Sequence, residues 1–198
     1  MQHHNGQYRY TPSDLAEFFE SSFASWMSCL HLQYPERAQP DPEAPELAIL
    51  AEKGVQHEHA VFTQLRAEGR DIYPVPQEGD RAARTVAAMQ AGRPIIYQGE
   101  LARGDFTGIT DFLVRVEGTS ALGNYHYEVW EAKCARVAQP AFLLQLCCYA
   151  DVLEAVQGRR PTRLWLVLGD RKPVPFRTED YFYYYRALKA AFLTWMRV

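Results

Sequence analysis

The chain is 198 residues long, enough for one domain with a substantial hydrophobic core, and at 47% hydrophobic and 23% charged it excludes a disordered polymer. Its formal net charge of −3 gives no whole-chain signature of nucleic-acid binding. It does not exclude such binding either, because a mildly acidic protein can still line one groove with basic groups.

Four cysteines (Cys29, Cys134, Cys147 and Cys148) form no CxxC pair, so neither a disulfide framework nor a zinc ribbon fits. The opening MQHHNGQYRY has no apolar signal core, and no run of about 18 apolar residues occurs. A soluble, cytoplasmic, reduced setting with no membrane partner is expected.

In chain order, Thr11-Pro12-Ser13-Asp14 predicts a capped helix start. Leu15, Phe18, Phe19, Phe23, Trp26 and Met27 follow at helical spacing as its buried face. Four prolines over Tyr34–Pro45 predict a mobile loop. A second helix is expected from about Glu46 to Glu68, stopped by Gly69, with Leu47, Leu50, Val61 and Leu65 inward. Gly54 and His57 fall on that face, His57 pointing inward and Gly54 admitting a close backbone. Glu58 lies nearer the edge.

Asp71 to Pro76 predicts a short strand, and Asp80 caps a small helix ending near Gly92. The period then changes to two, giving strands over Pro94–Ala102, Gly108–Val116 and Tyr125–Lys133. Ile109, Asp111, Leu113 and Arg115 share one face of the second. Tyr127, Val129, Glu131 and Lys133 share one face of the third. A helix over Pro140–Val156 ends at Gly158, and a doubly covered strand runs over Arg163–Leu168. The last helix, Glu179 to Met196, carries Tyr181, Tyr183, Tyr184 and Tyr185, which read as core plus surface rather than a base-stacking platform. This order describes a single α/β domain over residues 1–198, with a three-stranded meander plus a further strand in a mixed sheet flanked by helices.

Asp111 mid-strand, between Ile109 and Leu113, is costly without a partner. With Glu131 on the neighbouring strand it can supply the one or two carboxylates that Mg²⁺ ordinarily takes, and the Ala132 carbonyl can add a third oxygen. Lys133 can balance charge building on a phosphate. An inward His57 can complete the shell, its nitrogen tilting preference towards Mn²⁺. Phosphodiester hydrolysis needs such help, since a bound metal lowers the pKa of water and neutralises the transition state. Each element has a plainer reading: Glu131 with Lys133 as an edge charge pair, His57 as a satisfied core residue, Gln145 and Tyr149 as a packed helix shoulder. Glu100 and Glu128 compete as ligands, although strand parity turns Glu128 away from Glu131.

Gly54, His57 and Glu58 on a helix, Gly108 with Asp111, Glu131 with Lys133, and Gln145 with Tyr149 occur in that order. Together they resemble the RecB-like branch of the PD-(D/E)XK nucleases, including the CRISPR-associated RecB-like exonucleases and RecB-family nuclease modules that precede helicases. The resemblance spans essentially the whole chain. It implies a restriction-endonuclease-like core and Mg²⁺- or Mn²⁺-dependent cleavage of DNA, often exonucleolytic on single strands. By matching position it implies His57, Asp111 and Glu131 as metal ligands, Lys133 as catalytic, and Gln145 with Tyr149 on the DNA. Relatives often have Asp where Glu131 stands. Many also hold an iron–sulfur cluster on one early and three late cysteines. Cys29 matches the first, but no cysteine follows Cys148, so no complete cluster site exists in this chain. The finish at Trp195-Met196-Arg197-Val198 inside a helix pattern raises the expectation of truncation. The competing reading is a catalytically inactive nuclease-like module, an adaptor that binds DNA or docks on a helicase. A metal-dependent hydrolase acting on RNA or another phosphodiester is a third.

Overall fold

The computed structural model describes residues 1–4, 7–40 and 44–196. A two-stranded antiparallel ribbon, β1 (Gln2–His4) and β2 (Gln7–Arg9), opens the chain. The rest is built on a six-stranded mixed sheet of β3 (Ile72–Pro74), β4 (Ile95–Arg103), β5 (Phe106–Ser120), β6 (Gly123–Ala132), β7 (Arg163–Val167) and β8 (Pro173–Arg177), in that spatial order. The meander β4–β5–β6 is antiparallel, as its alternation predicts. β7 joins β6 in parallel through a crossover helix, α5 (Pro140–Gln157). β8, which no alternation in the sequence marks, pairs antiparallel with β7. Pro173 and Pro175 fit it for the edge, where unpaired donors are a liability.

Six helices are described: α1 (Pro12–Glu20), α2 (Ser22–Gln33), α3 (Pro45–Ala67), α4 (Arg81–Gln90), α5 and α6 (Glu179–Trp195). Helices cover both sheet faces. On one, α1, α4, α5 and α6 pack Leu15, Met89, Leu146, Leu153 and Phe192 against Ile96, Leu113, Val129 and Leu166. On the other, Val61 and Leu65 of α3 cover Ile95, Phe112, Val114 and Val167. β7 contributes to both clusters, which is why its sequence is apolar without alternation. α5 is buried nearly all round and ends at Gly158 in the left-handed conformation (φ 65°), which only glycine adopts at little cost.

Three expectations about the helices are corrected. The single helix expected from Thr11 is two, because Ser21 is extended (φ −157°, ψ 109°) and its Oγ accepts the Ala24 N–H at 3.1 Å, capping a new helix. Phe23 (66% exposed) and Trp26 (46%) therefore leave the core. In α3 only the second half packs: Leu47 (53%) and Leu50 (60%) are exposed, while Val61 and Leu65 are buried. Outside its own helix, no described atom lies within 4 Å of a β-carbon built on Gly54, so no other element's described backbone approaches it. The loop expected over Tyr34–Pro45 is described to Pro40 and at Ala44, residues 41–43 lie outside the described residues, and Pro45 already begins α3. At the end of the chain, α6 is described through Trp195 with Met196 as its cap, and residues 197–198 lie outside the description. Among the described residues no helix is long and apolar enough to cross a membrane.

Candidate functional site

The ladder between β5 and β6 pairs Arg115 with Tyr127, Leu113 with Val129 and Phe112 with Trp130, and then stops. The next residues, Asp111 and Glu131, face each other where β6 leaves β5, on the α5 side of the sheet. Asp111 substitutes for the lost ladder: its Oδ2 accepts the Ala132 N–H at 2.7 Å. Burial pushes the Asp111 carboxyl well above the ordinary range, the charges of Glu131 and Glu58 add to the rise, and the Ala132 N–H and Lys133 pull the other way. Glu131 is 7% exposed. Burial raises its pKa too, against the pull of Lys133, with Glu58 pushing in the same direction as burial.

Lys133 Nζ lies 3.0 Å from Glu131 Oε1 and 5.4 Å from the centroid of the Phe142 ring, so the ammonium is held between the acid and the first turn of α5. Glu131 Oε2 is buried and has no hydrogen-bond partner. An ionised oxygen in that state is expensive unless something positive completes it. Two desolvated carboxylates with one free oxygen and a single lysine fit a divalent cation, which commonly takes one or two carboxylates and fills its other positions with water and phosphate oxygens.

The remaining predicted residues are placed as follows. His57 is buried on α3, the layer opposite α5, and its Nε2 lies 3.0 Å from the Val167 carbonyl oxygen. That carbonyl also accepts the Lys133 N–H at 3.0 Å, so His57 braces the end of β7 beside β6. Among the described residues no three His, Cys, Asp or Glu side chains stand close enough to hold one metal ion. Ala132 ends β6, its N–H given to Asp111. Tyr149 is buried with its hydroxyl donating to the Ile109 carbonyl at 2.7 Å, and burial followed by the charges of Glu131 and Asp111 raises its pKa well above normal. It is a fixed neutral donor at the back of the site. Gln145, one turn earlier, donates to Ser13 Oγ at 3.4 Å.

The competing acids are otherwise engaged. Glu128 is buried and accepts from Trp165 Nε1 at 2.7 Å and from the Arg163 N–H at 3.2 Å, and Glu100 accepts from Thr107 at 3.0 Å. Cys29 is half-buried and Cys147 and Cys148 are buried, all three as free thiols. Two residues near the site lie outside the predicted ligand set, although Glu58 belongs to the Gly54, His57 and Glu58 motif. Glu58 stands on α3 close enough for its charge to raise both Asp111 and Glu131. Gln98, mid-strand in β4, donates its amide to Glu58 Oε1 at 2.9 Å. The adjacency of His57 and Glu58 hinted at the first, while nothing in the alternation around Ile95 to Gly99 marked the second.

No family model and no curated protein matches the chain.

Proposed function

We propose that this domain is a metal-dependent DNA nuclease that hydrolyses phosphodiester bonds, acting on single-stranded DNA as an exonuclease. The observation that carries the reading is the unpartnered Glu131 Oε2, buried beside Asp111 with the Lys133 ammonium 3.0 Å from the other oxygen of the same carboxylate. A restriction-endonuclease-like core is part of the proposal. The acids stand at the divergence of two antiparallel strands, and the order Asp111, Glu131, Lys133 is the one the resemblance implies.

In this reading Asp111 and Glu131 would hold Mg²⁺ or Mn²⁺, and the Ala132 carbonyl would add an oxygen. When bound, such an ion supplies Lewis-acid charge and a more acidic water. Asp111 is fixed for the task by the Ala132 N–H, which sets its rotamer without neutralising it. Lys133, partly exposed, can turn its ammonium from Glu131 to a phosphate oxygen as negative charge develops there. Tyr149 cannot act as a base, because its raised pKa keeps the proton that it gives to Ile109. Its contribution is to seat α5 against β5, with Gln145 presented one turn nearer the start of α5 to contact the strand. His57 could join the metal shell through Nδ1 while its Nε2–H donates to the Val167 carbonyl, the arrangement in which a ligating histidine is oriented by its second nitrogen.

The test is 5′-labelled single-stranded DNA with Mn²⁺ or Mg²⁺, with an EDTA control and Lys133→Ala beside the wild type. Cleavage abolished by EDTA and lowered about 10²–10³-fold by Lys133→Ala is expected. Absence of cleavage with either metal, from folded protein, would instead support an inactive DNA-binding or helicase-associated adaptor.

A further inference from the structure

β4 is a nine-residue strand with one residue that does not belong in a strand. Gln98 has φ 52°, whereas its neighbours keep extended pairing: Tyr97 with Phe112 and Gly99 with Thr110. The ladder skips Gln98 and the residue across from it, which is Asp111. A glutamine in the left-handed region is strained, and such strain persists only where the surroundings enforce it.

The enforcing group is Arg81, at the first position of α4. Its Nε donates to the Gln98 carbonyl at 2.9 Å and its Nη2 to the Gln98 side-chain oxygen at 3.2 Å. A guanidinium only donates, so the amide oxygen must face it and the amide nitrogen must face away. That nitrogen donates to Glu58 Oε1 at 2.9 Å and reaches Tyr97 Oη at 3.3 Å. A carboxylate only accepts, so the direction of the whole chain Arg81–Gln98–Glu58 is fixed by the chemistry of its ends.

We infer that Gln98, clamped by Arg81, is a positioning residue that holds the Glu58 carboxylate towards the Asp111–Glu131 pair as a third negative charge, and so raises the affinity of the site for a divalent cation. The inference rests on the proposed cation site, whose free buried oxygen belongs to Glu131. Glu58 acts here from outside the pair, since no three acids stand close enough to share one ion among the described residues. Groups that act at one remove from a metal commonly change its affinity about 10- to 100-fold.

The experiment is calorimetric titration of the full chain with Mn²⁺, alongside thermal unfolding in EDTA, for wild type, Gln98→Gly, Glu58→Gln and the double variant. Gln98→Gly removes the amide but also relieves the positive φ, so it should melt no lower than wild type while binding Mn²⁺ about 10- to 100-fold more weakly. Glu58→Gln keeps the shape and removes the charge, and should weaken binding by a similar factor. The double variant should bind no worse than Glu58→Gln, because Gln98 acts through Glu58. Wild-type affinity in either single variant, or losses that multiply in the double variant, overturns the inference and leaves the proposed site standing. Wild-type protein that binds no Mn²⁺ overturns both.

Discussion

The side chain of Asp111 takes the hydrogen bond that a backbone carbonyl would take if β5 and β6 stayed paired: Ala132 N–H donates to Asp111 Oδ2 at 2.7 Å. One residue therefore closes a ladder and lines the candidate site, and two substitutions separate these roles. Asp111→Asn keeps an acceptor for Ala132 and removes a charge that burial disfavours, so it should unfold in urea at or above the wild-type midpoint while losing cleavage and Mn²⁺ binding. Asp111→Ala leaves a half-buried N–H without a partner and should cost about 1–3 kcal/mol. Equal destabilisation by both would mean that the hydrogen bond contributes nothing.

The raised carboxyls of Asp111 and Glu131 fix the sign of a pH effect. Each binds a proton more readily folded than unfolded. The stability they contribute is complete below the unfolded value of about 4 and is lost as pH rises through the raised folded values. In EDTA, the gap in urea midpoint by which Asp111→Asn exceeds wild type should therefore widen from about pH 5 to about pH 8. Added Mn²⁺ should close it from the wild-type side, most strongly at high pH, where the pair is ionised. A gap that shrinks with rising pH would contradict the direction of both shifts.

Much of this site could be read from the chain because strands alternate strictly. Asp111 and Glu131 share the faces of Leu113 and Val129, and once those two pair, the acids must meet. α5 was legible for a similar reason, since its apolar residues lie between Pro140 and Gly158. What stayed hidden depends on partners rather than period. Leu47 and Leu50 repeat at the same helical spacing as Val61 and Leu65, but the sheet meets only the second half of α3. Ser21 could have continued a helix, but its extended backbone ends one and its Oγ, accepting the Ala24 N–H, begins the next. Gln98 is held at positive φ by Arg81, 17 residues away, which no local pattern encodes.

The two glycines in the resemblance motifs should respond in opposite ways. A β-carbon on Gly108 would lie 2.8 Å from Pro12 Cδ and 2.9 Å from Tyr149 Cε1, and Tyr149 is anchored to the Ile109 carbonyl beside it. Gly108→Ala should cost about 1–3 kcal/mol by overpacking and should depress cleavage through the displaced ring. Gly54 has open space around it within a helix, so Gly54→Ala should stabilise by about 1 kcal/mol. Thermal unfolding of both variants checks the pair; a neutral Gly108→Ala would show that α1 or Tyr149 yields freely.

Away from the site, Asp151 on α5 ties down α6 and gives a pH effect of the opposite sign. Its Oδ2 accepts from Lys189 Nζ at 2.6 Å and from the Tyr185 hydroxyl at 2.9 Å. Burial alone would raise its pKa, but Lys189 and Tyr185 together outweigh that and hold it below the usual range. A depressed carboxylate contributes stability above the unfolded value of about 4, and loses it as pH falls through the folded value. Lys189 is partly exposed, so Lys189→Met should cost about 1–2 kcal/mol near neutral pH, below the full value of a buried charged hydrogen bond. Urea midpoints of wild type and Lys189→Met should then converge as pH falls below about 4 and through the depressed folded value, because protonated Asp151 no longer distinguishes them. A gap that persists unchanged into acid would mean that Lys189 contributes through its ammonium over the Phe106 ring, 4.5 Å from the centroid, rather than through its charge on Asp151.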